Sequence, residues 1–313
     1  VIPPYRHGLF TVWLFVCLSA CHPATESITE PEETGPPPTM RFEAIGDWGM
    51  GGPVQRDVAA RLNAQAVADS AQFTVSVGDN FYGPAVSSAD DPRWKELYED
   101  VYRGYTLDHD WYVVLGNHDY SGNIYAQIDY QARNPHWKMP ARYYTFVKPL
   151  GKKATVQFVC LDTMPFAPEF RDGFGGVSIS DTTRQMRWAD SVLTASKATW
   201  KIVVGHHPVF SVGFHGDTPD LKPRLLPLLK KHKVALYLCG HDHDLQHLSQ
   251  EGVDFVVTGS GGSVRGVAQP QLAKFHDTSH PGFVGLTIYP DSLRCRYFDT
   301  GGNVLYQFKR GGQ

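Results

Sequence analysis

Cysteine is scarce in this chain, with five in 313 residues, and their placement supports neither a disulfide framework nor a thiolate metal site. Cys17 and Cys21 fall in the N-terminal segment. Cys160, Cys239 and Cys295 each sit inside an apolar or alternating run, where an odd set of thiols is expected to be buried rather than paired. Clustered positive charge is also missing: 29 Lys and Arg stand against 32 Asp and Glu, scattered along the chain, which argues against a nucleic-acid surface. The N-terminal apolar run, Leu9 to Leu18, is too short to span a bilayer, and the chain carries no internal repeat. Histidine, by contrast, is plentiful. Of 14, six (His118, His206, His207, His215, His241 and His243) lie in or beside short polar motifs that follow apolar runs. Imidazole is the commonest metal ligand and the side chain that titrates near neutrality.

The N-terminus speaks about compartment. Arg6 precedes the apolar run, which has the length of a secretory h-region and ends Leu18-Ser19-Ala20-Cys21. Leu18 fits poorly three residues before an ordinary signal-peptidase cut, whereas Leu-Ser-Ala-Cys resembles a bacterial lipoprotein signal. Residues 1–20 are therefore expected to be a signal peptide and Cys21 to become the lipidated first residue. That places the protein outside the cytoplasm, anchored by lipid to a bacterial membrane on its periplasmic or outer face; plain secretion is the alternative. Residues 22–40 hold five prolines, four glutamates and no Lys or Arg, so residues 21–40 read as an extended tether. The catalytic domain is then residues 41–313.

From residue 40 the pattern is α/β. Residues 40–45 alternate as a strand and stop at Gly46-Asp47-Trp48-Gly49, residues 54–70 have helical apolar spacing, and the β-rich run 73–77 ends in Gly78-Asp79-Asn80-Phe81-Tyr82. A helix is expected over 92–102, where Trp94, Tyr98 and Tyr102 recur every four residues behind Pro92. Strand 111–115 leads to Gly116-Asn117-His118-Asp119, and a helix is expected over 123–133. Strand 155–161 is followed by a loop through Ser180 that is expected to flank the site, and by an amphipathic helix over 182–196. Strand 201–204 leads to Gly205-His206-His207-Pro208, and strand 234–239 to Gly240-His241-Asp242-His243. After the run 255–257 and Gly259 to Ser263, three alternating runs, 283–289, 293–298 and 303–308, read as an antiparallel meander without site chemistry.

Five strand ends thus offer Asp47, Asp79 with Tyr82, Asn117 with His118, His206, and His241 with His243. Strand ends in α/β sheets converge on one crevice. Hard oxygen donors mixed with imidazole suit iron, manganese or zinc rather than calcium or a thiolate cluster. Asp79 is read as a carboxylate shared by two ions, which would sit roughly 3.5–4 Å apart, the spacing used for in-line attack on phosphate.

These motifs, in this order and over residues 41 to 309, resemble those of the purple acid phosphatases within the wider metallophosphoesterases, and look closest to the small tartrate-resistant type. The resemblance implies a metallophosphoesterase-like β-sandwich of two sheets flanked by helices, with the metal site at strand C-terminal ends. It implies a ferric site of Asp47, Asp79, Tyr82 and His243 and a divalent site (Fe2+, Zn2+ or Mn2+) of Asp79, Asn117, His206 and His241. Many members of the superfamily have Asp-x-His as the first motif; here Gly49 stands in the histidine's place, and Tyr82 supplies a phenolate that favours ferric iron. His118 and His215 match histidines near the metals in that family, each as proton donor to the leaving group or as a group that orients phosphate. His207 resembles the second of a paired His in small plant members, where animal ones often have Tyr.

The activity so implied is acid phosphatase: hydrolysis of small phosphomonoesters by attack of a metal-held hydroxide. Three negative ligands against five positive charges of a ferric and divalent pair leave an excess that attracts a phosphate dianion. A phosphodiesterase or nucleotidase of the same superfamily is one rival. A surface lipoprotein that only binds iron or a partner is another, but pure storage would not need His118 and His215.

Overall fold

The computed structural model describes residue 1 and residues 38–168, 180–266 and 269–312. The expected signal peptide, Cys21, nearly all of the tether and most of the loop before Ser180 lie outside the described residues. No described helix is long and apolar enough to cross a membrane.

Two seven-stranded sheets carry the site between them. The first has the order β14-β13-β12-β1-β2-β3-β4 and the second β11-β9-β10-β8-β7-β6-β5. In the first, β1 (Met40–Ile45), β2 (Phe73–Ser76), β3 (Asp110–Val113) and the two-residue β4 (Trp137–Lys138) run parallel. In the second the parallel set is β6 (Ala154–Cys160), β7 (Trp200–Val204), β8 (Leu236–Cys239) and β10 (Val253–Thr258). The remaining strands are antiparallel: β5 (Tyr144–Leu150) pairs with β6, and β9 (Leu245–Gln250) joins β10 to the short edge strand β11 (Phe275–Asp277).

β2, β8 and β10 are buried along their whole length, which for β8 and most of β10 matches a near-continuous apolar sequence. Between the sheets, Phe42 stacks on Phe73 with centroids 4.8 Å apart, and both meet Phe158 of the other sheet edge-on. Helix α1 (Pro53–Asp69) and an aromatic cluster cover the outer face of the first sheet. The outer face of the second is covered by α3 (Ser180–Ala195) and α4 (Lys222–Lys231). Helix α2 (Ile124–Asp129) follows β3 and passes into a 3-10 turn at Tyr130–Ala132.

The helix expected over 92–102 is instead a π-turn, Lys95–Glu99, closed by Asp100 N–H donating to the Lys95 carbonyl at 2.9 Å and followed by turns. The aromatic spacing was legible because Trp94, Tyr98 and Tyr102 are all buried; the backbone was not, because they pack by wedging among Trp48, Trp111 and Trp137 rather than along a regular helix face. The meander is β12 (Gly282–Ile288), β13 (Ser292–Asp299) and β14 (Val304–Gly311). It is not a separate layer: β12 pairs antiparallel with β1 and extends the sheet that carries Asp47 and Asp79. Cys160, Cys239 and Cys295 are buried free thiols.

Candidate metal centre

Every predicted ligand lies just past the C-terminal end of a parallel strand. Asp47, Asp79 and Asn117 follow β1, β2 and β3 of one sheet, while His206 and His241 follow β7 and β8 of the other. The crevice is therefore the gap between two facing sheets, with oxygen donors from one side and imidazoles from the other.

Local backbone makes the convergence possible. Asp47, Asp79 and His241 all adopt left-handed conformations, with φ of 57°, 52° and 70°, which turn their side chains back over the strand ends. The glycines that open two of the motifs are fixed by close approach: a Cβ at Gly116 would lie 2.2 Å from Asp79 Oδ1, and one at Gly240 would lie 2.2 Å from Asp47 Oδ2.

Two groups of donor atoms result. Tyr82 Oη is 3.1 Å from Asp47 Oδ1 and 3.0 Å from His243 Nε2, which is itself 3.5 Å from Asp47 Oδ1. Asn117 Oδ1 lies 3.1 Å from His206 Nε2 and 3.0 Å from His241 Nδ1, and Asp79 Oδ2 is 3.5 Å from His206 Nε2. His206 Nδ1 faces the Val77 carbonyl at 2.9 Å and must donate to it. In neutral His206, Nε2 therefore holds a lone pair, and it points at the lone pairs of Asn117 and Asp79. Such an arrangement repels itself unless a cation is shared, so the donor set fits a metal. Asp47, Asp79 and His206 also bring ligand atoms within 4.8 Å of one another, which joins the two groups.

Electrostatics agree. Burial, then the neighbouring Asp79 carboxylate, pushes the Asp47 carboxyl well above its ordinary range, and burial with Asp47 and Asp79 does the same to the Tyr82 phenol. Burial holds the imidazoles neutral, well below the ordinary value for His241, and burial with Arg265 pulls His243 down to about 3. Neutral imidazole is the ligand form, and a cation would reverse the penalty on the carboxylate and the phenolate.

His118 and His215 stand at the rim beside different ligands. The His118 ring rests on Tyr82 with centroids 4.2 Å apart, and its backbone N–H donates to Asp79 Oδ1 at 2.8 Å. The His215 ring rests on His241, also at 4.2 Å. His207 lies behind the donors: it is buried, its ring is 4.6 Å from that of His241, and its ligand atoms come within 4.8 Å of those of His206 and His241. Its Nδ1 is 2.8 Å from Thr163 Oγ1, which also accepts the backbone N–H groups of His206 and His207.

Sequence reasoning missed several supporting groups. Buried Asp119 accepts from the backbone N–H groups of Asn80, Phe81 and Gly116 and from Gln127 Nε2, tying the Asp79 loop to the Asn117 loop. Asn80 continues that network through Ser76 Oγ to Trp48 Nε1. Asp242 accepts the His215 backbone N–H at 2.7 Å and bonds Ser211, fixing the rim loop. Ser263 Oγ is 2.6 Å from His243 Nδ1 and orients that ring. For Asp119 and Asp242 the available signal was an Asp within Gly116-Asn117-His118-Asp119 and Gly240-His241-Asp242-His243 with no metal role of its own.

The calcineurin-like phosphoesterase profile matches residues 40–245, the span that contains all seven predicted ligands. Tartrate-resistant acid phosphatase type 5 of Sus scrofa is 35% identical over 96% of this chain and 95% of its own length. Purple acid phosphatase 7 of Arabidopsis thaliana is also 35% identical, over 86% and 85%. The chain belongs to the calcineurin-like phosphoesterases and, among them, to the purple acid phosphatases. Among solved structures, GAP50, the anchor in the inner membrane complex of Plasmodium, is similar with a TM-score of 0.76 and 26% identity, covering 88% of this chain and 90% of that one. A purple acid phosphatase from yellow lupin seeds has a TM-score of 0.65 at 17% identity, covering 88% of this chain and 54% of that one, and shares the fold. Membership of this family implies a dinuclear metal centre, and the two adjoining donor groups are where this chain would hold it.

Proposed function

We propose that this protein is an acid phosphatase that hydrolyses small phosphomonoesters at a dinuclear ferric and divalent metal centre. The observation that carries the reading is the convergence of lone pairs from both sheets on two adjoining points, next to half-buried His118 and exposed His215 at the rim. Asp47, Asp79, Tyr82 and His243 would hold the ferric ion, and Asp79, Asn117, His206 and His241 the divalent one, which the donors allow to be Fe2+, Zn2+ or Mn2+. When bound, the pair supplies charge neutralisation of the phosphate and acidifies a water for in-line attack.

The chain's own residues do the rest. Asp119 and the His118 N–H fix Asp79 between the two donor groups. Asp242 fixes the loop that places His215 over His241. His118 and His215, on the Tyr82 and His241 sides, offer imidazole N–H groups to the phosphate oxygens and to the departing oxygen, and either can deliver the proton that the leaving alkoxide needs.

The deciding test is hydrolysis of 4-nitrophenyl phosphate by the purified protein, with metal analysis and a visible spectrum. Two metals per chain, phosphate release favoured at acidic pH, and a phenolate-to-ferric absorption band are expected. Tyr82→Phe at equal iron content should lose the band, and a spectrum matching wild type would remove Tyr82 from the ligand set. The likeness to the Plasmodium anchor favours a second reading, in which the fold binds a partner without catalysis. Metal-loaded protein inert towards every phosphoester would select it.

We also propose export and lipid anchoring through Cys21, supported by the N-terminal sequence. About 0.8 kcal/mol per buried CH2 makes several acyl chains a durable anchor. Cys21→Ser should release the protein or block its processing, and a wild-type protein that is wholly soluble with an unmodified N-terminus would reject the anchor.

A further inference from the structure

The loop after β10 closes one side of the crevice and brings a cation to its rim. Gly261 N–H donates to the Gly46 carbonyl at 3.1 Å, and Arg265 N–H donates to the His243 carbonyl at 2.8 Å. The Arg265 backbone is thus bonded to the same residue whose ring belongs to the ferric donor group. Its exposed side chain lies across the mouth: Nη1 is 3.3 Å from His215 Nε2, and the guanidinium carbon is 5.9 Å from the centroid of Phe214, an exposed ring. Among the described residues both side-chain contacts are with rings rather than carboxylates, so the positive charge is available to an anion at the rim.

Its position decides which anion. His215 separates Arg265 from His241, with the two imidazole rings 4.2 Å apart, so the guanidinium sits one side chain outside the donor groups. The phosphate being cleaved would lie against the metals and the two rim histidines. Whatever that phosphate is esterified to must leave through the mouth, past Phe214 and Arg265.

We infer that Arg265 is a specificity-determining residue that favours phosphate substrates whose leaving group carries its own anionic group, a carboxylate or a second phosphate. This rests on the phosphatase reading of the same site. A guanidinium can take either anion by paired N–H bonds, and the exposed Phe214 ring lies 5.9 Å from its central carbon. A neutral leaving group makes no such contact.

The test compares phenyl phosphate with 4-carboxyphenyl phosphate on metal-loaded wild type, Arg265→Gln and Arg265→Lys. Arg265→Gln should lower kcat/KM for the carboxylate-bearing ester about tenfold, mainly through KM, and for phenyl phosphate by less than about threefold, since a charged hydrogen bond is lost only with the first. Arg265→Lys should recover part of the difference. A second arm measures calorimetric binding of inorganic pyrophosphate against inorganic phosphate to the same proteins, where Arg265→Gln should weaken pyrophosphate selectively. Equal loss on both esters together with an unchanged pyrophosphate-to-phosphate ratio would overturn the assignment. If wild type cleaves neither ester, the phosphatase reading fails and the binding ratio alone decides the role of Arg265.

Discussion

Two of the polar junctions between the sheets differ sharply in character, and β10 touches both. Past its C-terminal end lies the crevice, where carboxylates, a phenol and imidazole lone pairs face one another and three of the residues hold left-handed backbone. At its start, Asp254 of one sheet accepts Arg310 Nη1 of the other at 2.9 Å and lies 3.1 Å from His247 Nε2. Arg310 Nη2 also reaches the Gly252 carbonyl, His247 Nδ1 is 3.1 Å from Tyr306 Oη, and the His247 ring stacks on Phe308 at 3.8 Å. Here donors meet acceptors and opposite charges meet. One junction matches opposite charges within the protein; the other gathers carboxylates and lone pairs that cations would relieve. A fold spends strain and like charge where it binds something, and matches charge where it only holds itself together.

Removing the group shared by both donor sets should have the largest effect. Asp79→Ala is expected to lose both metals and to lower phosphatase activity at least a thousandfold, because both metal roles go together. Retained turnover of an aryl phosphate by iron-loaded Asp79→Ala would show that Asp79 is not shared, and would undo the contrast between the two junctions.

Next come the rim histidines. His118→Ala and His215→Ala should each keep their metal and slow esters with poor leaving groups by roughly 10²- to 10⁴-fold, with smaller losses on 4-nitrophenyl phosphate, as expected for lost proton donation. Equal slowing of both ester types would instead assign the histidine to orienting phosphate. Comparing the two variants also says which side of the crevice delivers the proton.

Chelation sharpens the contrast through stability. If metal ions close the crevice, removing them exposes the repulsion between the Asp47 and Asp79 carboxylates and lowers Tm. A ligand present at a thousand times its Kd contributes about 4 kcal/mol, on the order of 10 °C for a domain of this size. A Tm indifferent to chelation, at confirmed metal loss, would mean that the crevice is satisfied without cations.

How much of this was legible differs between the junctions for a physical reason. Metal ligands must be particular residue types at fixed offsets from strand ends, so Asp47, Asp79, Tyr82, Asn117, His206, His241 and His243 stood out, and the structure brings all seven together. The matched junction has no such grammar. His247 and Arg310 lie 63 positions apart in unremarkable strands, and β9, which carries His247, was not anticipated at all. Helix α4 was not anticipated either; it carries Pro223 at its start, where proline is tolerated, and Pro227 within it. Arg265 gave no signal either, since only the fold of the preceding loop carries it to the rim.

The smallest expected effect tests the matched junction itself. Burial alone would push the Asp254 carboxyl up, but its bonds with His247 and Arg310 outweigh that and hold it below its ordinary value. A depressed carboxylate contributes stability that is present above the unfolded value, near pH 4, and is lost as pH falls through the folded one. Arg310→Gln removes one of those bonds without touching the crevice. At pH 7 it should lower Tm by a few degrees, corresponding to about 1–3 kcal/mol for a hydrogen bond to a charged group, with metal content and phosphatase activity kept. The difference from wild type should shrink as pH falls below about 4 and through the depressed value of folded wild type, below which Asp254 is protonated in both proteins. Measuring the two in parallel cancels the acid sensitivity of the metal ligands, which they share. A Tm gap that stays constant down to pH 3 would show that Arg310 acts through packing and its bond to the Gly252 carbonyl rather than through the charge on Asp254.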